Sequence, residues 1–192
     1  MDIIEYEDKY KSEIINLILN IQNKEAKINL SIEEQADLLD IPTAYEKNGG
    51  KFWIAIENDQ VIGTIALMMK EKQCSILKKF FVKAEYRNKK IGLSLYQTLL
   101  EYAKSLKIRY IILDTPSVAT ASHSFYEKAG FKRVKEDDLP VPYEFPDRNS
   151  FLYIRKRQIT SVRTENKNLA EVYGEVISVL IFPRQQYCAS RL

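Results

Sequence analysis

Tyr86-Arg87-Asn88-Lys89-Lys90-Ile91-Gly92-Leu93-Ser94 joins the strand-like run Ile76-Leu77-Lys78-Lys79-Phe80-Phe81-Val82 to a segment with apolar residues at Leu95, Leu99, Ala103 and Leu106. That three-to-four spacing predicts one buried face of a helix. The loop therefore sits at a helix N-terminus, where first-turn N–H groups lack intrahelical acceptors and the dipole is positive. Gly92 has no Cβ to keep an anion's oxygens from the backbone. Lys78, Lys79, Lys83, Arg87, Lys89 and Lys90 add positive charge. No Gly-Lys-Ser/Thr tripeptide is present, so the lysine and hydroxyl of a Walker-type loop are missing, and one glycine is too few for a dinucleotide fingerprint. The expected guest is a long polyphosphorylated molecule.

Downstream lies Ser124-Phe125-Tyr126-Glu127-Lys128-Ala129-Gly130-Phe131. Together the two stretches resemble the GNAT-type N-acetyltransferase superfamily. Arg87 and Gly92 match the ends of that family's acetyl-CoA loop, Arg/Gln-x-x-Gly-x-Gly/Ala, and Lys90 stands where the middle glycine is usual. The second stretch is similar to the family's Phe-Tyr-Glu-Lys-x-Gly-Phe signature. The resemblance covers roughly the first four-fifths of the chain. It implies a single α/β (α+β) domain over residues 1–157, with a central mixed, mostly antiparallel sheet flanked by helices and the acetyl-CoA loop between strand 4 and the next helix. Residues 158–192 form an extension outside it.

The implied reaction is direct attack of a primary amine of a small molecule or peptide on the thioester of acetyl-CoA. An ammonium has a pKa near 10, so the site must desolvate it or take its proton. In the family a backbone N–H at a bulge before the loop stabilises the carbonyl oxygen, and here that strand places Phe81 and Val82 there. The implied cosubstrate-binding set is Phe81, Val82, Lys83, Arg87, Asn88, Lys89, Lys90, Ile91, Gly92 and Leu93. Tyr126 is the acid expected to protonate the departing thiolate. The competing reading of Tyr126 is an aromatic core residue beside Phe125. His123, the sole histidine, is either a base or a packing residue on the same helix. Where the family often has an asparagine seven residues before the tyrosine, this chain has Ala119, so that contact falls to Ser117, Thr120 or Ser122.

Composition agrees with one globular domain: 192 residues, 45% hydrophobic, 29% charged. The start, Met1-Asp2-Ile3-Ile4-Glu5-Tyr6, lacks the basic and long apolar regions of a signal peptide, and no apolar run could span a bilayer, so a cytoplasmic location is expected. Cys74 and Cys188 have no metal-ligand spacing and read as free thiols; with one histidine, a protein-held metal is not expected. A net charge of +3 does not announce a nucleic-acid protein.

The periodicity predicts a first strand at Ile3-Ile4 and a helix with Tyr10, Ile14, Leu17, Ile18 and Ile21 on one face. A second helix is expected at the capping box Ser31-Ile32-Glu33-Glu34, and a further helical start at Asp40-Ile41-Pro42. An antiparallel meander is expected over Lys51 to Glu57, Gln60 to Met69 and Gln73 to Lys83, with Phe52 and Trp53 in the core. Beyond the loop helix come a buried strand Tyr110–Leu113, broken by Asp114-Thr115-Pro116, a helix from Ala119 to Lys128 ending at Gly130, and strands near Phe131 and from Phe151 to Arg155.

The acidic segment holding Glu136, Asp137, Asp138, Glu144 and Asp147 is expected to attract a cationic acceptor, against the plainer reading of a solvated loop. The apolar stretch Glu175 to Phe182 is left open between an extra strand, a homodimer contact and a foreign segment. A non-catalytic module of the same fold, sensing acyl-CoA or binding nucleic-acid phosphates, is the alternative to an enzyme.

Overall fold

The computed structural model describes residues 1–143 and 149–157. Its centre is a seven-stranded sheet in the order β1-β2-β3-β4-β5-β7-β6. The strands are β1 (Asp2–Glu5), β2 (Lys51–Glu57), β3 (Gln60–Met69), β4 (Cys74–Val82), β5 (Tyr110–Pro116), β6 (Lys132–Val134) and β7 (Ser150–Lys156). Every pairing is antiparallel except β4 with β5.

The sheet is apolar on both faces. Along β2, Phe52 and Ile54 enter one core while Trp53 and Ala55 enter the other, the period-two alternation of a strand covered on both sides. One face is covered by helix α1 (Lys11–Leu19), which buries Ile14, Leu17 and Ile18, and by the irregular helical segments Asn20–Glu25, Glu33–Leu38 and Pro42–Glu46. The other is covered by α2 (Ile91–Ser105) and α3 (Thr120–Lys128). Helix α2 buries Ile91, Leu95, Leu99 and Ala103 at four-residue intervals. Truncating Leu99, fully buried, to alanine would cost about 2–5 kcal/mol. Leu106 lies past the helix end and is 41% exposed, so it is not part of the buried face the periodicity assigned it to. At Gly63 a Cβ would stand 3.1 Å from Leu95 Cδ1 and 3.1 Å from the Phe81 carbonyl, so α2 rests directly on the backbone of β3.

Two further expectations change. The Ser31 capping box forms, with Ser31 N–H donating to Glu34 Oε2 at 2.9 Å and Glu34 N–H to Ser31 Oγ at 3.3 Å. It opens a kinked 3-10 segment instead of an α-helix, since Gln35 takes φ −127° and ψ 51°. Asp114, Thr115 and Pro116 do not break β5 but continue it, pairing with Leu152, Phe151 and Ser150 of β7. The last 35 residues, with Cys188 and Glu175 to Phe182, lie outside the described residues, as do Glu144 and Asp147.

Candidate active site

Strands β4 and β5 pair only over Cys74–Ile76 and Tyr110–Ile112, and then part. Beyond the last pair, Ile76 with Ile112, β4 bulges. Thr64 pairs with Phe81 and Ala66 with Lys78, so Ile65 opposes both Lys79 and Phe80. Lys79 holds a left-handed backbone, φ 52°, and Thr64 Oγ1 donates a 2.7 Å hydrogen bond to its carbonyl. The bulge thus lies just before the Phe81-Val82 position expected for it. Lys83 N–H donates to the Ile62 carbonyl of β3 at 2.9 Å, so by strand alternation Val82 turns its main-chain groups away from β3 while Phe81 faces it. The Val82 carbonyl accepts from Arg87 Nε at 2.9 Å on that outer edge.

Beyond β4 the loop enters α2 through two left-handed residues, Asn88 at φ 66° and Lys90 at φ 61°. Lys90 adopts the conformation a glycine there would take freely, at a cost of about 1–2 kcal/mol for its Cβ. The first intrahelical N–H is that of Ser94, bonded to the Lys90 carbonyl at 3.0 Å. The amides of Ile91, Gly92 and Leu93 therefore open the helix with no side-chain cap. Ile91 and Leu93 anchor this turn in the core, while Asn88, Lys89 and Lys90 are exposed beside it and Lys83 is half-buried. Arg87 departs from expectation. Its side chain is 4% exposed and is ion-paired to Glu25 at 2.6 Å, so its guanidinium ties β4 to the segment after α1 and is not presented to solvent at the loop.

A cavity of about 240 Å³ fills the gap between the parted strands. Leu77 to Phe81 of β4 form one wall and Asp114 to Pro116 of β5 the other; Tyr126 and Ser122 of α3 close it on one side, and Gln22, Gln35 and Asp37 on another. It is smaller than the roughly 300–1,000 Å³ of pockets for drug-sized ligands, a size suited to an acetyl group and a small reactant. Of the three polar residues expected to replace the missing asparagine, Ser122 lines the cavity. Tyr126 is buried, and burial first, then the charges of Tyr96 and Asp114, hold its phenol pKa far above the usual value. It is fully protonated at neutral pH.

Sequence reasoning counted Lys79 in the basic cluster of the loop and Asp114 in a strand break, and assigned neither to this cavity, which both line. Asp114 accepts a 2.5 Å hydrogen bond from Tyr143 Oη. Lys79, with a side chain 10% exposed, pairs with Asp37 at 3.1 Å, and burial pulls its pKa below the ordinary lysine value against the opposing pull of Asp37. The available signals were a lysine inside an apolar strand and an aspartate at a strand end. His123 is not placed as a base: its Nε2 stands 3.0 Å from the Pro116 carbonyl and its ring packs on Phe151 and Tyr153. Glu136, Asp137 and Asp138 are exposed and do not line the cavity. Cys74 is buried, which raises its thiol pKa. Among the described residues no group of three or more acidic, histidine or cysteine side chains is placed to hold a metal ion, and no helix is long and apolar enough to cross a membrane.

Comparison with known proteins gives a consistent result. The acetyltransferase (GNAT) family pattern matches residues 15–131. An acetyltransferase from Streptococcus agalactiae 2603 superposes with TM-score 0.78 at 39% identity, covering 81% of this chain and 98% of that one. A GNAT-family acetyltransferase from Staphylococcus aureus Mu50 superposes with TM-score 0.78 at 37% identity, covering 82% and 99%. A Danio rerio protein named N-acetylaspartate synthetase is 32% identical over 124 residues, which are 62% of this chain and 44% of that relative. The chain thus spans less than half the length of that curated relative.

Proposed function

The chain belongs to the GNAT acetyltransferase family, and on that premise we propose that residues 1–157 form an acetyl-CoA-dependent N-acetyltransferase acting on a primary amine of a small molecule or peptide. The observation that carries this reading is the cavity shared by the parted β4 edge and Tyr126. Acetyl-CoA would supply the activated acetyl thioester. Its phosphates suit the uncapped N–H groups of Ile91, Gly92 and Leu93 and the exposed Lys89 and Lys90, while the outer edge of β4 at Val82 offers main-chain hydrogen bonds to an extended amide chain.

The remaining steps fall to the chain's own residues. Main-chain N–H groups around the Lys79-Phe80 bulge are the donors for negative charge developing on the carbonyl oxygen. Asp114, oriented by Tyr143, is the carboxylate that draws the ammonium in and takes its proton, so that a neutral amine attacks. The Tyr126 phenol donates toward the leaving sulfur. Because burial opposes a tyrosinate, Tyr126 gives a hydrogen bond that strengthens as charge grows, and it regains any proton passed on from the acylated nitrogen.

The same reading extends to location and acceptor. The cytoplasm, a reducing compartment, suits the buried free thiol of Cys74. The Danio rerio relative's name gives aspartate as an amine that receives the acetyl group, which supports a nitrogen acceptor here. Calorimetric titration with acetyl-CoA, followed by thiol release against a panel of amines, tests the assignment: saturable binding and amine-dependent CoA release are expected. Binding without release to any amine would leave only a CoA-binding protein.

A further inference from the structure

One wall of the cavity carries a polar network that the transfer steps leave unused. Gln22 and Gln35, both buried, exchange amide hydrogen bonds of 3.1 and 2.9 Å. Lys79 Nζ donates to Gln35 Oε1 at 2.8 Å and pairs with Asp37 at 3.1 Å. Asp37 in turn accepts from Tyr45 Oη. An ammonium has three N–H donors. Among the described residues, Gln35 and Asp37 are the hydrogen-bond and ion-pair partners of Lys79, so one donor remains on a group that lines the cavity. This lysine also carries two costs, a left-handed backbone and a buried charge. An anionic oxygen in the cavity would satisfy the third donor and offset the burial.

We infer that Lys79 reads a carboxylate of the acceptor, and hence that the acceptor is a small amino acid and not a simple alkylamine. The inference rests on the acetyltransferase reading of the same cavity. The charged side chains lining it are Glu34, Asp37 and Asp114 against Lys78 and Lys79. Asp37 is already compensated by Lys79 and Glu34 accepts from the Ser31 N–H, which leaves Asp114 on the β5 wall to receive an ammonium, and Lys78 with the third donor of Lys79 on β4 to receive the carboxylate. A wall of both signs matches a zwitterion. An alkylamine would leave the lysine donor unmet.

The test uses the full chain at saturating acetyl-CoA. CoA release is followed with amino acids and with the corresponding amines lacking the carboxylate, and the ratio of their kcat/KM values is compared between wild type and Lys79→Gln. Intrinsic amine reactivity cancels in that comparison. Wild type is expected to favour the amino acids, and the variant ratio to fall by about 10- to 100-fold, the worth of a hydrogen bond to a charged group, with the KM for acetyl-CoA unchanged. Because Lys79→Gln leaves Asp37 buried without its partner, the double variant Lys79→Gln/Asp37→Asn supplies a neutral pair if the single one does not fold, and the ratio must fall there too. A ratio within about twofold of wild type in the folded variants, or a wild-type preference for the amines, overturns this inference alone. Release with neither class overturns the transferase reading with it.

Discussion

Arg87 and Glu25, 62 residues apart, meet in an ion pair of 2.6 Å with the arginine side chain 4% exposed. The arginine that opens the acetyl-CoA loop motif therefore works inward, clamping the end of β4 through the Val82 carbonyl and holding the segment after α1 against it. Arg87→Ala should lower stability by about 1.5–3 kcal/mol, the range for hydrogen bonds to a charged group. It should change acetyl-CoA affinity of the folded protein by less than about threefold, because the loop's amides and exposed lysines remain. Denaturation and calorimetry on one preparation separate the two effects; a large affinity loss with unchanged stability would return Arg87 to the phosphates.

Gly92 lies in the first turn of α2, the place the proposed binding mode gives to the phosphates. Gly92→Val places a branched side chain there and should weaken acetyl-CoA binding at least tenfold while far-ultraviolet circular dichroism stays the same. Undiminished affinity in the folded variant would move the phosphate site elsewhere.

For Tyr126, replacement by phenylalanine keeps the ring in its aromatic contacts with Phe125, Phe131 and Tyr153 and removes only the proton. The turnover number should fall about ten- to a thousandfold with acetyl-CoA affinity nearly constant. Turnover within about twofold of wild type, with chemistry rate-limiting, would reduce Tyr126 to packing.

Burial raises the phenol pKa values of Tyr45, Tyr126 and Tyr143. Unfolded tyrosines lose their protons near pH 10, so above that pH the unfolded state binds fewer protons than the folded one and stability falls as pH rises. Below pH 10 their contribution is complete. Lys79, whose pKa is lowered by burial, has the opposite sign: the unfolded lysine keeps its proton longer, and stability rises between the lowered value and about 10.4. Tyrosinate absorbance at about pH 11 should accordingly be lower in the folded protein than in denaturant, and Tyr126→Phe should narrow that gap by one tyrosine equivalent. Equal absorbance in both states would contradict the burial of these phenols.

The frame of the molecule was legible wherever local chemistry and tertiary packing agree. The β2–β3 turn is an example, since Asn58 and Asp59 both take positive φ, as a tight hairpin requires. The Ser31 capping box was legible as a cap but not as the start of a 3-10 segment, because Gln35 is drawn to Gln22 and Lys79, partners remote in sequence. Asp114-Thr115-Pro116 read as a break because the pairing that keeps it extended comes from β7. In the candidate site, the loop and Tyr126 were visible through motifs. The place of Lys79 and Asp114 in the cavity was not, since it depends on a bulge in one strand and the parting of two, which no local spacing encodes.

Amine acetylation in the cavity between β4 and β5 is tested most directly by single-turnover transfer. Protein mixed with labelled acetyl-CoA and a small amino acid should yield labelled N-acetyl product, at a rate rising with pH as the amine loses its proton and strongly reduced in Tyr126→Phe. Labelled acetyl-CoA that binds the protein and is recovered intact after incubation with every amine offered would contradict acetyl transfer at this site.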